Sequence, residues 1–199
     1  PTLSLSETMG IAWMQGTAKD FYLEKYAEVI KAFSGKINVS EKKIMFYGSS
    51  AGGFASLMFL TFFENSFAVV NNPQTNIFNF EMKYVRKLLD VSFNSVSTNQ
   101  AKATLRSRFS IADAYRDIKV IPRFIYVQNS SDIEHYSGHY TAFITGLNDM
   151  FSGYENYNLR ENIFVLYQDD TSKHNPAVYG FIKKYFEMAE TLFLPGKDA

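Results

Sequence analysis

A serine held between two glycines constrains this chain more than any other part of its sequence. The segment from Gly48 to Gly52 has the pattern G-x-S-x-G, with Ser50 at its centre. A continuously apolar run, 43–47, precedes it, and a run of small and apolar residues, 52–63, follows it. We interpret these runs as a buried strand and a buried helix. Ser50 is therefore predicted to stand on a tight strand-to-helix turn.

A turn of this kind is suited to nucleophilic catalysis, since it projects a hydroxyl above the end of a sheet. Gly48 and Gly52 let the backbone fold tightly. The N–H of Ala51 can donate to a developing oxyanion, and the following helix directs its positive end to the same place. We predict Ser50 as the nucleophile, Ala51 as part of the oxyanion hole and Ser49 as a candidate for binding substrate.

The turn has two other interpretations. It can be a Gly/Ser turn that only packs a helix on a strand. It can also bind phosphate at the helix N-terminus. The second interpretation is disfavoured because neither G-x-x-x-x-G-K-[ST] nor G-x-G-x-x-G is present.

A serine nucleophile needs a base, and the base needs an acid that orients it. In this type of site the chain order is serine, acid, histidine. His174 follows the last apolar run and precedes a C-terminal helical pattern, so it is the predicted base. Asp132 follows the preceding apolar run and is the predicted acid, with Glu134 as second candidate. Asp169 and Asp170 fall outside this order and are predicted to be solvated charges.

The other two histidines, His135 and His139, stand four residues apart and could share a helical face that binds a metal. No third ligand stands near them in the sequence. The favoured interpretation is therefore that both histidines are polar residues at a helix start or on the protein surface. We predict neither a metal nor an organic cofactor. His135 is also a candidate for contacting substrate.

The remaining pattern predicts an α/β fold with a mostly parallel sheet flanked by helices. Four runs are continuously apolar, as expected for strands covered on both faces, and helical patterns lie between them. The predicted strands are 43–47, 67–70, 123–127 and 162–167. The predicted helices are 20–33 with Gly35 as its stop, 52–63, 81–89, 101–109, one capped by Ser110 and Asp113, 140–151 and 177–192. One domain, 1–199, is expected, with 72–121 as a helical insertion that caps the site.

Composition narrows the choice of partners. Lys and Arg number 20 and Asp and Glu number 20, so no positive field favours nucleic acid. Cysteine is absent, which excludes disulfides and thiolate chemistry. The longest apolar stretch, 54–63, is too short to span a membrane. With no visible signal peptide, we expect a cytoplasmic location.

With nucleophile, acid and base in order, the chain from about Asp20 onward resembles the α/β-hydrolase superfamily. It is similar in particular to bacterial hydrolase-like proteins encoded with surface-glycan synthesis and to accessory Sec-system proteins with acetyltransferase-like triads. The segments that carry this resemblance are 1–3, 10–13, 16–17, 47–53, 71–74, 128–129 with Asp132, and 174–176. The resemblance implies an association with surface glycans, so an acylated glycan is a candidate substrate. An ester is expected in preference to an amide because esters are the commoner substrates of such sites, and a homo-oligomer or protein assembly is also expected.

The chain departs from that superfamily in one respect, because only four of its usual eight strands are found. The loop that normally supplies the second oxyanion donor is absent unless Thr2–Ser6 or Gly10–Gly16 replaces it. We therefore expect a longer natural protein whose C-terminal catalytic part is this chain. The alternative function is a non-catalytic binding or scaffold module in a polysaccharide-biosynthesis or secretion assembly.

Overall fold

A parallel sheet forms the centre of the molecule, of which the computed structural model describes residues 9–152 and 158–194. The strands are β1 (Met45–Ser50), β2 (Phe67–Pro73), β3 (Val120–Ile121), β4 (Arg123–Asn129), β5 (Asn158–Leu159) and β6 (Asn162–Tyr167). In the main sheet the order is β1-β2-β4-β6, and every neighbouring pair is parallel. The short strands β3 and β5 form a separate parallel pair.

Helices cover both faces of the main sheet. They are α1 (Tyr22–Lys36), α2 (Ala51–Phe59), α3 (Met82–Ser92), α4 (Thr98–Thr104), α5 (Arg106–Phe109), α6 (Ile111–Ile118), α7 (Ile133–His135), α8 (Thr141–Ser152) and α9 (Tyr179–Phe193). A π-helical turn, Tyr136–Tyr140, joins α7 to α8. Within the described ranges, no helix has the length and hydropathy to cross a membrane.

Alternating side chains of the central strands divide the core into two layers. Val69 and Ile125 belong to the cluster with Tyr185 and the other buried residues of α9. Val70 and Tyr126 belong to the larger cluster, with the buried residues of α2, α6 and α8. This arrangement confirms the predicted α/β class with a mostly parallel sheet between layers of helices.

Because all four main strands are parallel and follow one another in chain order, their carboxyl ends meet at one edge. The residues that follow β1, β2, β4 and β6 therefore lie side by side there. In open α/β sheets this edge is where ligands bind. The strand order thus brings together parts of the chain that are more than one hundred residues apart.

Several predicted boundaries are wrong, and the reasons are local. Strand β1 begins only at Met45 and continues through Ser50, while β2 and β4 run on into polar residues as far as Pro73 and Asn129. Helix α1 passes through Gly35. The predicted helix 101–109 is two helices, α4 and α5, which meet at Leu105.

Two smaller predictions can also be compared with the structure. The Ser110 cap is confirmed, because its hydroxyl accepts the Asp113 N–H at 3.3 Å. The segment Thr2–Ser6, considered as an oxyanion loop, lies outside the described residues, as does the motif at 1–3.

The turn between β1 and α2 depends on close backbone contacts. Ser50 has φ 52° and ψ −123°, a conformation that non-glycine residues rarely adopt. A Cβ on Gly48 would lie 2.2 Å from the carbonyl carbon of Gly52, and one on Gly53 would lie 2.5 Å from Cβ of Pro73. A Cβ on Gly52 would meet nothing within 4 Å. The turn therefore requires Gly48 and Gly53, whereas the expectation that Gly52 is needed for steric reasons is wrong.

These contacts predict opposite effects for two similar substitutions. Gly48→Ala should lower the free energy of unfolding by about 2–4 kcal/mol, because the methyl group collides with backbone that cannot move aside. Gly52→Ala should be neutral or stabilising by up to about 1 kcal/mol, because alanine favours a helix and the position is open. Urea unfolding measured for both variants tests this, and equal losses would contradict it.

Candidate active site

Ser50, His174 and Asp132 are joined by hydrogen bonds at the carboxyl edge of the sheet. The Nε2 atom of His174 lies 3.1 Å from Oγ of Ser50, and its Nδ1 atom lies 2.7 Å from Oδ2 of Asp132. Asp132 is buried, with 6% of its surface exposed. The His174 side chain is 43% exposed, so the site opens to solvent. The structure thus brings together the three residues predicted as nucleophile, base and acid.

The other sequence candidates occupy different positions. Glu134 is exposed on α7. Asp169 accepts hydrogen bonds from Thr171 and Ser172, which hold the pKa of its carboxyl down at about 2. Ala51 is the first residue of α2, so its N–H has no partner within that helix. The hydroxyl of Ser49 is buried without a hydrogen-bond partner among the described residues.

Two buried asparagines hold the segment that precedes His174. The amide group of Asn129 donates to the carbonyls of Asp169 at 2.8 Å and Lys173 at 3.0 Å, and its Oδ1 accepts the Asp169 N–H at 3.0 Å. Asn72 accepts the Asn129 N–H at 2.7 Å and donates to the Lys173 carbonyl at 3.4 Å. The backbone before the histidine is thereby fixed to the ends of β2 and β4.

A third asparagine holds the chain beyond His174. Oδ1 of Asn71 accepts the Ala177 N–H at 2.7 Å, and its amide donates to the Val127 carbonyl at 3.3 Å. No individual role was predicted for these asparagines. The available signal was their position directly after apolar runs, where a buried sheet meets a loop.

His135 packs directly against the base. Its ring stacks on that of His174 with centroids 3.8 Å apart and an interplanar angle of 27°. Its Nδ1 atom is 3.3 Å from Oδ2 of Asp132, and its backbone N–H donates to Oδ1 of the same carboxylate. Burial, together with the charge of His174 when protonated, lowers the pKa of His135 to about 4. His135 is therefore a neutral ring at pH 7.

His139 is set one turn further from the base. Its ring centroid lies 5.0 Å from that of His135, and its Nδ1 accepts the Thr75 N–H at 3.3 Å. Burial lowers its pKa to about 3. His135 thus packs against the acid and His139 against Thr75. Both rings are buried, so the surface alternative is wrong, whereas His135 does lie in the first turn of a helix, α7.

A different set of residues has the spacing of metal ligands. Within the described residues, ligand atoms of Asp132, His135 and His174 lie within 4.8 Å of one another. However, both ring nitrogens of His174 and Oδ2 of Asp132 are already engaged by hydrogen bonds in the series with Ser50. Metal binding there would replace the hydrogen-bonded arrangement with Ser50.

Residues 6–188 match the model of the prolyl oligopeptidase family. No curated protein matches the chain.

Solved structures resemble the fold at low sequence identity. Two are of the capsule O-acetyltransferase of Neisseria meningitidis serogroup A. One has 12% identity and a TM-score of 0.62, with coverage of 91% of this chain and 69% of that one. The other, in complex with caged gadolinium, has 13% identity and a TM-score of 0.59, with coverage of 85% and 63%. The third is the glycosylation-associated Gap123 complex from Streptococcus agalactiae, with 15% identity, a TM-score of 0.56, and coverage of 92% of this chain and 35% of that one.

The chain therefore spans 69% of one O-acetyltransferase structure, 63% of the other, which is less than two thirds, and about a third of the last. Likeness at these identities concerns the fold alone. The family match covers residues 6–188, so it includes Asp132, His174 and the strand-to-helix turn that carries Ser50, here called the elbow. On that match, and with a sheet that confirms the expected hydrolase fold, the chain belongs to the prolyl oligopeptidase family within the α/β-hydrolase superfamily.

Proposed function

We propose that the chain is a serine hydrolase or acyltransferase in which Ser50 attacks an ester carbonyl. The observation that carries this proposal is the hydrogen-bonded series from Ser50 through His174 to the buried Asp132, at 3.1 and 2.7 Å. These are the distances at which a base can take a serine proton and an acid can orient the base. The strained backbone of Ser50 supports the same role, since such strain is concentrated at functional sites.

The reaction follows from these contacts. Ser50 Oγ forms a bond to the acyl carbon while His174 Nε2 takes its proton, and Asp132 stabilises the imidazolium. Collapse of the tetrahedral intermediate expels the alcohol, which receives the proton from His174. Water or an acceptor hydroxyl then attacks the acyl-serine, gives its proton to His174, and Ser50 regains it as its oxygen leaves.

The oxyanion would be held by the N–H of Ala51, which begins α2 and carries the positive end of the helix. A cavity of about 240 Å³ beside it is also lined by Trp13 and Met14, both at positive φ in the turn from Ala12 to Gln15. This turn belongs to the segment Gly10–Gly16 and lies at the same cavity as Ala51, which supports it as the source of the second donor. We assign the second donor to its backbone.

An acylated glycan is the substrate class that we favour. Two of the structural neighbours are structures of a capsule O-acetyltransferase, and the third is a glycosylation-associated complex. The third neighbour also supports the expectation of a protein assembly. These likenesses support a glycan ester by analogy of fold.

Covalent labelling tests the nucleophile. Wild-type protein should react with a fluorophosphonate probe, and Ser50→Ala should abolish the reaction, together with hydrolysis of p-nitrophenyl acetate. Ser49→Ala is the matched control, because its hydroxyl contacts neither His174 nor Asp132, and it should retain labelling. Mass spectrometry of the labelled peptide locates the adduct. An adduct on another residue would contradict Ser50 as the nucleophile. No labelling of the folded wild type would favour the non-catalytic scaffold.

A second prediction concerns Asn129 as a positioning residue. Asn129→Ala should lower kcat about 10- to 100-fold with little change in KM, because the loop carrying His174 loses its attachment while the substrate cavity is untouched. Stability should fall by about 1–3 kcal/mol, so rates are measured well below the unfolding temperature.

Asn162→Ala is the control for this measurement. Asn162 also donates its amide to a backbone carbonyl, that of Pro122, but it lies at the opposite end of the strands. It should lose stability without loss of kcat. Equal effects of the two substitutions on kcat would contradict a positioning role for Asn129.

A further inference from the structure

A second cavity opens beside His135, the residue whose ring stacks on that of the candidate base at 3.8 Å. It has a volume of about 370 Å³ and lies between residues 79–81, before α3, and residues 134–139, after the acid. A volume of this size accommodates one sugar-sized molecule. His135 is the lining residue that links the cavity to the candidate site.

The walls of this cavity are tied to each other. The amide of Asn79 donates to the carbonyl of Gly138 at 2.7 Å. Thr75 donates its hydroxyl to the carbonyl of His139 at 2.8 Å and its N–H to the ring of the same residue. Because the insertion and the π-helical turn are joined in this way, the cavity is largely formed before any ligand enters.

His135 gives the cavity an unsatisfied polar group. The residue is 5% exposed. Its Nδ1 lies 3.3 Å from Oδ2 of Asp132 and faces that carboxylate, whereas its Nε2 has no hydrogen-bond partner among the described residues. Buried polar atoms are nearly always paired, so an unpaired one needs an explanation. Its depressed pKa keeps the ring neutral. With Nδ1–H toward the carboxylate, the ring offers a lone pair at Nε2, to which a hydroxyl group can donate.

The charged groups at the rim have one sign. Glu81 and Glu134 line the cavity, and no Lys or Arg does so among the residues described. Lys83 neutralises part of the charge of Glu81 through an ion pair at 2.6 Å, which leaves Glu134 as the main source of negative potential. The partly buried ring of Phe80 adds an apolar wall. Carboxylates accept from hydroxyl and ammonium groups and repel anions.

We propose that this cavity binds the alcohol part of the substrate, or the acceptor, as a polyhydroxylated molecule that is neutral or carries an amine. It disfavours an acceptor that carries a carboxylate or phosphate. The proposal rests on the proposed function for its role in catalysis, since it supplies the hydroxyl side of the ester to Ser50 and His174. The binding preference itself is a property of the cavity.

Protection of Ser50 from a fluorophosphonate probe tests the preference with three sugars of one ring size: glucose, glucosamine and glucuronate. Each labelling rate is divided by the rate of the same variant without sugar. Glucose and glucosamine should slow labelling, and glucuronate should have about three- to tenfold less effect. Glu134→Gln should narrow that difference. Glu187→Gln, on α9 at the other face of the sheet, should leave it as in the wild type.

Saturation-transfer NMR of the same sugars on unlabelled protein separates this proposal from the catalytic one. If Ser50 is never labelled but glucose and glucosamine bind in preference to glucuronate, the catalytic function fails and the cavity preference stands. If Ser50 is labelled and glucuronate protects as well as glucose, or no sugar protects or binds, the cavity proposal is overturned. Unchanged discrimination in Glu134→Gln would also overturn it.

Discussion

The close approach of α2 to the ends of β1 and β2 is the constraint on which the rest of the site depends. With hydrogen in place of a side chain at Gly48 and Gly53, the first turn of α2 lies directly on β1 and on Pro73. This contact holds Ser50 in its unusual backbone conformation. Strand β2 adds a further restraint, because the Gln74 N–H donates to the Ser50 carbonyl at 3.0 Å. The indole N–H of Trp13 donates to the side chain of the same glutamine, so the turn at 12–15 is attached to the elbow.

A buried layer of polar side chains then connects the strand ends beside the elbow to the loop that carries His174. Parallel strands leave backbone groups unpaired where they end, and loops there need partners. Asn71, Asn72 and Asn129 supply them, and all three are completely buried. Their amides bridge two strand ends to the loop on either side of His174. A long polar loop is thereby attached to the sheet on both sides of His174, which is what a base needs if its Nε2 is to stay within reach of Ser50.

The sequence predicts the fold well because its signals are local. Continuous apolar runs mark the four main strands, and the glycine pattern marks the elbow, so the α/β class and the three candidates at the carboxyl edge follow from short segments and chain order. The strand ends were less predictable, since Asn71 and Asn129 are polar and become part of the strands only through backbone pairing with Ser49, Val127 and Tyr167, which are 22 to 56 positions away. The stacking of His135 on His174 is equally long-range. The four-residue spacing between His135 and His139 does not indicate this stacking.

The two histidines beside Asp132 have different electrostatic tasks. A carboxylate that is 6% exposed needs donors, and the ring of His174 with the backbone N–H of His135 supplies them without placing a second cation nearby. When His174 takes the serine proton, its bond to Asp132 becomes an ion pair at 2.7 Å, so the carboxylate favours the charged intermediate over the resting state. A protonated His135 would compete for that carboxylate and repel the imidazolium at 3.8 Å. Because burial lowers the pKa of His135 to about 4, His135 remains neutral at pH 7. Of the two rings, only that of His174 therefore forms an ion pair with Asp132.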